Sequence, residues 1–117
     1  MEEVRIPGKY GSWLPVSTVR VPGVPDAGDR VEDWQTVAVL EVQPPEGVGF
    51  LVAFKNGGNM QRNQTPVQMR NGRFGMRVGP EDVEFYALAI APALQVEMRL
   101  VEVTTIDNPD YSDLPLY

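Results

Sequence analysis

Three observations predict that this sequence folds as an all-β domain. Eleven glycines and eleven prolines among 117 residues leave little room for long helices. The runs between them are rich in valine, threonine and aromatics, which suit a pleated, half-buried surface. Within those runs apolar residues alternate with polar ones at period two, and no apolar stripe recurs at helical spacing. A chain this long makes one domain, which buries roughly two-thirds of the surface its unfolded form exposes. With about six to eight short strands and no crossover helices, the expectation is a single-domain antiparallel β-sandwich or small jelly roll. A closed β-barrel is the alternative.

Residues 1–11 read as an extended N-terminal arm, charged and broken by Gly and Pro, with Val4, Ile6 and Tyr10 as anchors. Residues 12–105 make the sandwich and residues 106–117 a C-terminal tail. The first strand spans 12–21, with Pro15 marking an edge or a bulge. A Pro/Gly/Asp loop follows over 22–33. In the second strand, 34–43, Trp34, Ala38, Leu40 and Val42 share the apolar face, while Gln35, Glu41 and Gln43 lie opposite. Pro44-Pro45-Glu46-Gly47 is a stop and turn. In the third strand, 48–55, Val48, Phe50, Val52 and Phe54 share one face, Gly49, Leu51 and Ala53 the other, so both faces are buried. Residues 56–64 read as a polar contact loop rich in amides and glycine.

The hairpin over 65–78 has the firmest basis. Asn71-Gly72 suits a type I′ turn, which needs positive φ at both central residues. That turn sets Arg70 opposite Arg73, Met69 opposite Phe74, Val67 opposite Met76 and Thr65 opposite Val78. The apolar pairs then fall on one face, with Arg70, Arg73, Arg77 and Gln68 on the other. A one-residue slip scrambles both faces. Pro80-Glu81-Asp82 has the residue order of a short helical turn. Residues 83–91 form a buried strand. Residues 94–105 form the last, and its alternation changes phase after Leu100, which marks a bulge or a strand passing between two environments.

Composition narrows the chemistry. The chain contains no cysteine and no histidine. That excludes disulfides, thiolate nucleophiles, imidazole-ligated metals and a Ser-His-Asp triad. No cofactor is implied. Met1-Glu2-Glu3 is acidic where a signal peptide is basic, and no run reaches the length of a membrane helix. The expectation is cytoplasmic synthesis without membrane insertion. Glu41, Glu97 and Glu102 occupy outward polar positions on strands and make no catalytic pair. Asp26, Asp29, Glu32 and Asp33 cluster in one loop, but their spacing matches no EF-hand, and a solvated turn is the plain reading.

Charge is unevenly distributed. Residues 47–80 carry Lys55, Arg62, Arg70, Arg73 and Arg77 and no acid, whereas the segments before and after carry net −4 and −7. Such asymmetry concerns partners more than fold. The arginine face of the hairpin is either solvated or meets the acidic tail of a neighbouring copy. Nucleic acid is disfavoured, because no aromatic lies on that face to stack a base. The tail carries Tyr111, Leu114, Leu116 and Tyr117, which read as anchors for a partner surface.

The expected function is therefore that of a structural, non-enzymatic assembly subunit, a homo-oligomer or part of a larger protein assembly, with a virion component (capsid, decoration or tail protein) as the leading class. Its partner-binding residues are Arg70, Arg73, Arg77, Tyr111, Leu114, Leu116 and Tyr117. The alternative is a monomeric carbohydrate-binding module in which Tyr10 and Trp13 stack on sugar rings.

Overall fold

The computed structural model describes residues 15–55, 58–63, 67–89 and 95–117. The expected N-terminal arm, Tyr10, Trp13 and Thr65 lie outside them. Over the described residues the chain is all-β. In chain order the strands are β1 (Pro15–Val21), β2 (Thr36–Gln43), β3 (Val48–Lys55), β4 (Gly58–Asn63), β5 (Arg73–Val78), β6 (Val83–Ala89) and β7 (Glu97–Thr105). They form two antiparallel sheets, ordered β1-β6-β3-β4 and β5-β2-β7. Among the described residues no ladder joins the two sheets, so the alternative of a closed barrel is not realised. Helix is confined there to single 3-10 turns at Val31–Asp33 and Pro109–Tyr111, and no helix is long and apolar enough to cross a membrane.

One core joins the sheets. Ala38, Leu40 and Val42 of β2 cluster with Phe74, Met76 and Val78 of β5, and β1, β3 and β6 contribute from the second sheet. Phe74 and Phe85 are fully buried at its centre. The apolar face expected for β2 is thus the core face, except that Trp34 packs elsewhere. Its ring lies on Gly79, where an added Cβ would come within 2.5 Å of it, and its Nε1 donates to the Gly28 carbonyl at 3.0 Å. Trp34 therefore pins the 22–33 loop to the start of the segment that follows β5.

The phase change in the last strand has bulge geometry. The β2–β7 register shifts between Val39 and Leu40, whose partners are Glu102 and Leu100, leaving Val101 as the extra residue. That bulge agrees with the alternation of the sequence. A second shift, between Val48 and Phe50 on β3, corrects the expected face of Val48. Val48 joins Leu51 and Ala53 in the core cluster, while Phe50 is buried outside it.

Three further expectations are corrected. Residues 58–63, read as part of a polar loop, are strand β4 on the edge of β3. Ladder bonds are made by the backbone, so a polar segment qualifies when a sheet edge needs a partner. Pro80–Asp82 makes no helical turn. Tertiary contacts hold it instead: Asp82 Oδ1 accepts from the Gly23 N–H at 2.8 Å, and the Gly79 carbonyl accepts from Val24 N–H at 2.8 Å. Finally, the 65–78 hairpin turns where expected but does not zip. Asn71 and Gly72 have φ of 54° and 77°, and Arg70 and Arg73 exchange backbone hydrogen bonds of 2.9 and 3.0 Å. Beyond that pair residues 67–69 form no ladder with β5. Val67 N–H donates to Gly49 on β3 instead, at 3.2 Å.

The turn is locked against β2. Gly72 carbonyl accepts from Val42 N–H at 2.8 Å, and a Cβ at Gly72 would lie 2.7 Å from the Val42 carbonyl oxygen. Gly72→Ala therefore combines an unfavourable φ with a backbone collision, and its expected cost is about 1–3 kcal/mol. Urea denaturation measures it; an unchanged midpoint would show that the turn relaxes freely.

Candidate functional site

The hydrogen-bonding edge of β5 that the hairpin leaves free is filled by the tail. After β7 the chain turns at Ile106, whose N–H donates to the Gln35 carbonyl at 2.8 Å. Asn108 caps the next turn, accepting from Asp110 N–H at 2.9 Å and donating to Thr104 Oγ1 at 2.8 Å. The single 3-10 turn over Pro109–Tyr111 follows, with proline at its start, where a missing N–H costs nothing. The chain has then passed from β7, on one side of β2, to β5 on the other. Leu116 forms a parallel bridge with Gly75. Gly75 N–H donates to Pro115 at 2.8 Å, Tyr117 N–H to Gly75 at 2.8 Å, and Arg77 N–H to Tyr117 at 2.7 Å.

This strap occupies the position that Gln68 would take in a zipped hairpin. Counting back from the Arg70/Arg73 pair, Gln68 is the residue that belongs opposite Gly75. Instead, both backbone groups of Gln68 are satisfied by one side chain. Its N–H donates to the Tyr117 hydroxyl at 2.6 Å, and that hydroxyl donates to the Gln68 carbonyl at 3.1 Å. The Tyr117 ring meets Phe74 edge-on, with centroids 6.1 Å apart. Tyr117 thus separates the two arms of the hairpin and satisfies the arm it displaces.

Beneath the strap lies the outer face of the three-stranded sheet. Val37 and Val39 alternate with the core residues of β2, yet they are 5% and 0% exposed. Gly75 faces the same way: a Cβ there would lie 2.9 Å from Val37 Cγ1 and 3.1 Å from Leu116 Cδ1. Only a residue without a side chain leaves Leu116 its seat. Tyr111 hydrogen-bonds Glu102, the β7 partner of Val39, and this bond, with desolvation and the carboxylate's charge, raises the Tyr111 pKa above its ordinary value.

Charged residues form a row across the same sheet. Arg73, Glu41 and Arg99 are register neighbours on β5, β2 and β7. Glu41 accepts from Arg73 Nε at 2.9 Å and from Arg99 Nε at 2.6 Å. These two guanidinium groups hold its carboxyl below the ordinary glutamate range. Arg70 extends the row on the other side of Arg73, and its Nε lies 3.0 Å from Asp113 Oδ2 of the strap. The like charges of Arg70 and Arg73 are therefore each drawn to a separate acid. The Arg70–Asp113 pair is exposed and weakly coupled in water, so it orients the strap more than it holds it. Arg77 differs: its Nε is buried without a hydrogen-bond partner.

Arg70, Arg73, Arg77, Tyr111, Leu116 and Tyr117 thus come together around the β5-β2-β7 sheet, although the sequence separates arginines from tail anchors, while Leu114 N–H bonds only within the strap, to the Tyr111 carbonyl at 3.1 Å. In the described structure they meet within one chain. Glu41, Arg99, Gln68, Gly75 and Asp113 complete the arrangement and were not among the expected partner-binding residues. A polar residue at the end of a strand-like run, or a glycine between two arginines, carries no signal until strand register is known. The acids of the 26–33 loop do not converge: among the described residues no three acidic side chains could hold a metal ion together. No protein-family model, curated protein or solved structure matches the chain.

Removing the hydroxyl tests the wedge. Tyr117→Phe leaves both Gln68 backbone groups to water, and its expected cost is about 0.5–1.5 kcal/mol. Amide hydrogen exchange should quicken at Gln68 while Gly75 stays protected; unchanged exchange at Gln68 would contradict the assigned bonds. Acidification tests the charged row. Because the Glu41 pKa is lowered in the fold, its stabilising contribution is full above the ordinary value of 4.5 and is lost as pH falls through the folded value. The stability gap between the native protein and Glu41→Gln should therefore be widest near neutrality and narrow below pH 4.5. A gap independent of pH in urea titrations would exclude the ion pairs as its source.

Proposed function

We propose that this protein is a structural, non-enzymatic assembly subunit, a β-sandwich of the jelly-roll kind that contacts other copies through its basic hairpin and its C-terminal strap. The assembly it fits best is a virion, as a capsid, decoration or tail protein made in the cytoplasm and then incorporated. One observation carries the reading: a chain segment binds the body by adding a strand to an open sheet edge. Strand addition joins separate chains with the same backbone bonds that it uses within one. Charge distribution supports it as well. A basic hairpin and an acidic strap are complementary, and complementary patches at different places on one molecule favour head-to-tail contacts.

The test is solution mass by light scattering over a concentration series at low and high salt. The expected result is a discrete oligomer or larger assembly that loosens as salt screens the patches. Deleting residues 107–117 should abolish assembly. A native protein that stays monomeric under every condition overturns the reading.

A further inference from the structure

We propose that the strap is exchanged between copies: in the assembled protein, residues 106–117 of one copy occupy the β5 edge of a second copy. This rests on the assembly reading and names its contact. What the strap recognises is complete in itself. An extended segment bonds Gly75 and Arg77 through its backbone, seats Leu116 over Gly75, inserts Tyr117 against Phe74 and Gln68, and places Asp113 by Arg70. None of these contacts requires that strap and sheet belong to one chain.

Two features favour exchange. The first is the connection to β7. Apart from the Ile106–Gln35 backbone bond and the Tyr111–Glu102 side-chain bond, the hydrogen bonds that tie it down join near neighbours: Thr105 to Asp107, Asn108 to Thr104 and Asp110 to Asn108. Such a segment can turn outward as a hinge without disturbing the core. The second is the hairpin. Its sequence encodes a register in which Gln68 pairs with Gly75, and the Tyr117 hydroxyl holds the two Gln68 groups that would make that pair. When the strap leaves, residues 67–70 can zip onto β5 and satisfy both backbone groups of Gly75 until another strap arrives. Only the Arg77 N–H is then left to water, which lowers the cost of opening. Because donor segment and acceptor edge are different surfaces, a reciprocal exchange closes a two-fold dimer and a head-to-tail exchange builds a larger ring or an open filament.

The native chain has no cysteine, so introduced thiols report on this contact alone. Full-length Arg70→Cys and full-length, tagged Asp113→Cys are mixed under assembling conditions and treated with a short bismaleimide. Both side chains are more than half exposed, so neither substitution threatens the fold. The expected product is a tagged–untagged dimer linked between residues 70 and 113, identified by mass spectrometry. Adding Gly75→Val to the acceptor fills the Leu116 seat and should reduce that product several-fold. Light scattering on the same mixtures separates the two readings. Oligomers without a 70–113 link between chains, alongside a double-cysteine chain that links only to itself, overturn strap exchange and leave assembly by another face. Monomers throughout overturn both.

Discussion

The edge of β5 is the constraint on which the rest of this structure depends. Because β5 ends its sheet, one row of its N–H and C=O groups has no ladder partner within that sheet. Burying such groups unpaired costs as much as losing a hydrogen bond, and leaving them open invites another chain. Two segments of the same chain are built to satisfy them, the hairpin arm and the tail. The structure divides the edge between them: the arm keeps Arg73, the tail takes Gly75 and Arg77. Gly75 is bare because Leu116 must sit over it, and Val37 and Val39 are apolar on a face that would otherwise meet water.

Electrostatics follow from the same arrangement. A row of three arginines across neighbouring positions would be unfavourable unless acids came between them. Glu41 stands between Arg73 and Arg99, and Asp113 arrives beside Arg70 only when the strap is docked. The acid within the sheet belongs to the fold, and the acid on the strap belongs to the contact. Strap docking is therefore sensitive to salt in a way that the Glu41 cluster, in the body of the sheet, is not to the same degree.

Much of the fold was legible in residue patterns, and the gaps have physical causes. The strand class, the Asn71-Gly72 turn and the bulge at Val101 are local properties, set by alternation and by allowed φ. The strand β4 could have been read as well. Lys55 pairs with Gly58, and the residues between them are Asn56-Gly57, the same dipeptide that marks the later turn. Its signal was masked by the polar side chains that follow. Which segment would lie on β5 was not legible. The sequence specifies a sound register for residues 67–70, and the competing partner lies far along the chain with no strand pattern of its own. Competition between a local and a distant partner for one edge is decided by packing, here by Tyr117 on Phe74 and Leu116 on Gly75. The expected partner-binding residues were chosen by composition and charge; their convergence was not legible, because it is a property of topology.

The separation of Gly75 from Leu116 along the chain also sets an order of events during synthesis. A ribosome delivers β5 well before the residues that finish its edge, and contacts between distant residues form late because the loop between them must close first. While translation continues, the adjacent arm at residues 67–70 is the nearest available cover, with its turn already encoded. The nascent chain can thus hold a provisional hairpin and trade it for the strap once β7 and the tail have emerged. Where many copies are made close together, the interval between those two states is the time in which one chain can meet another.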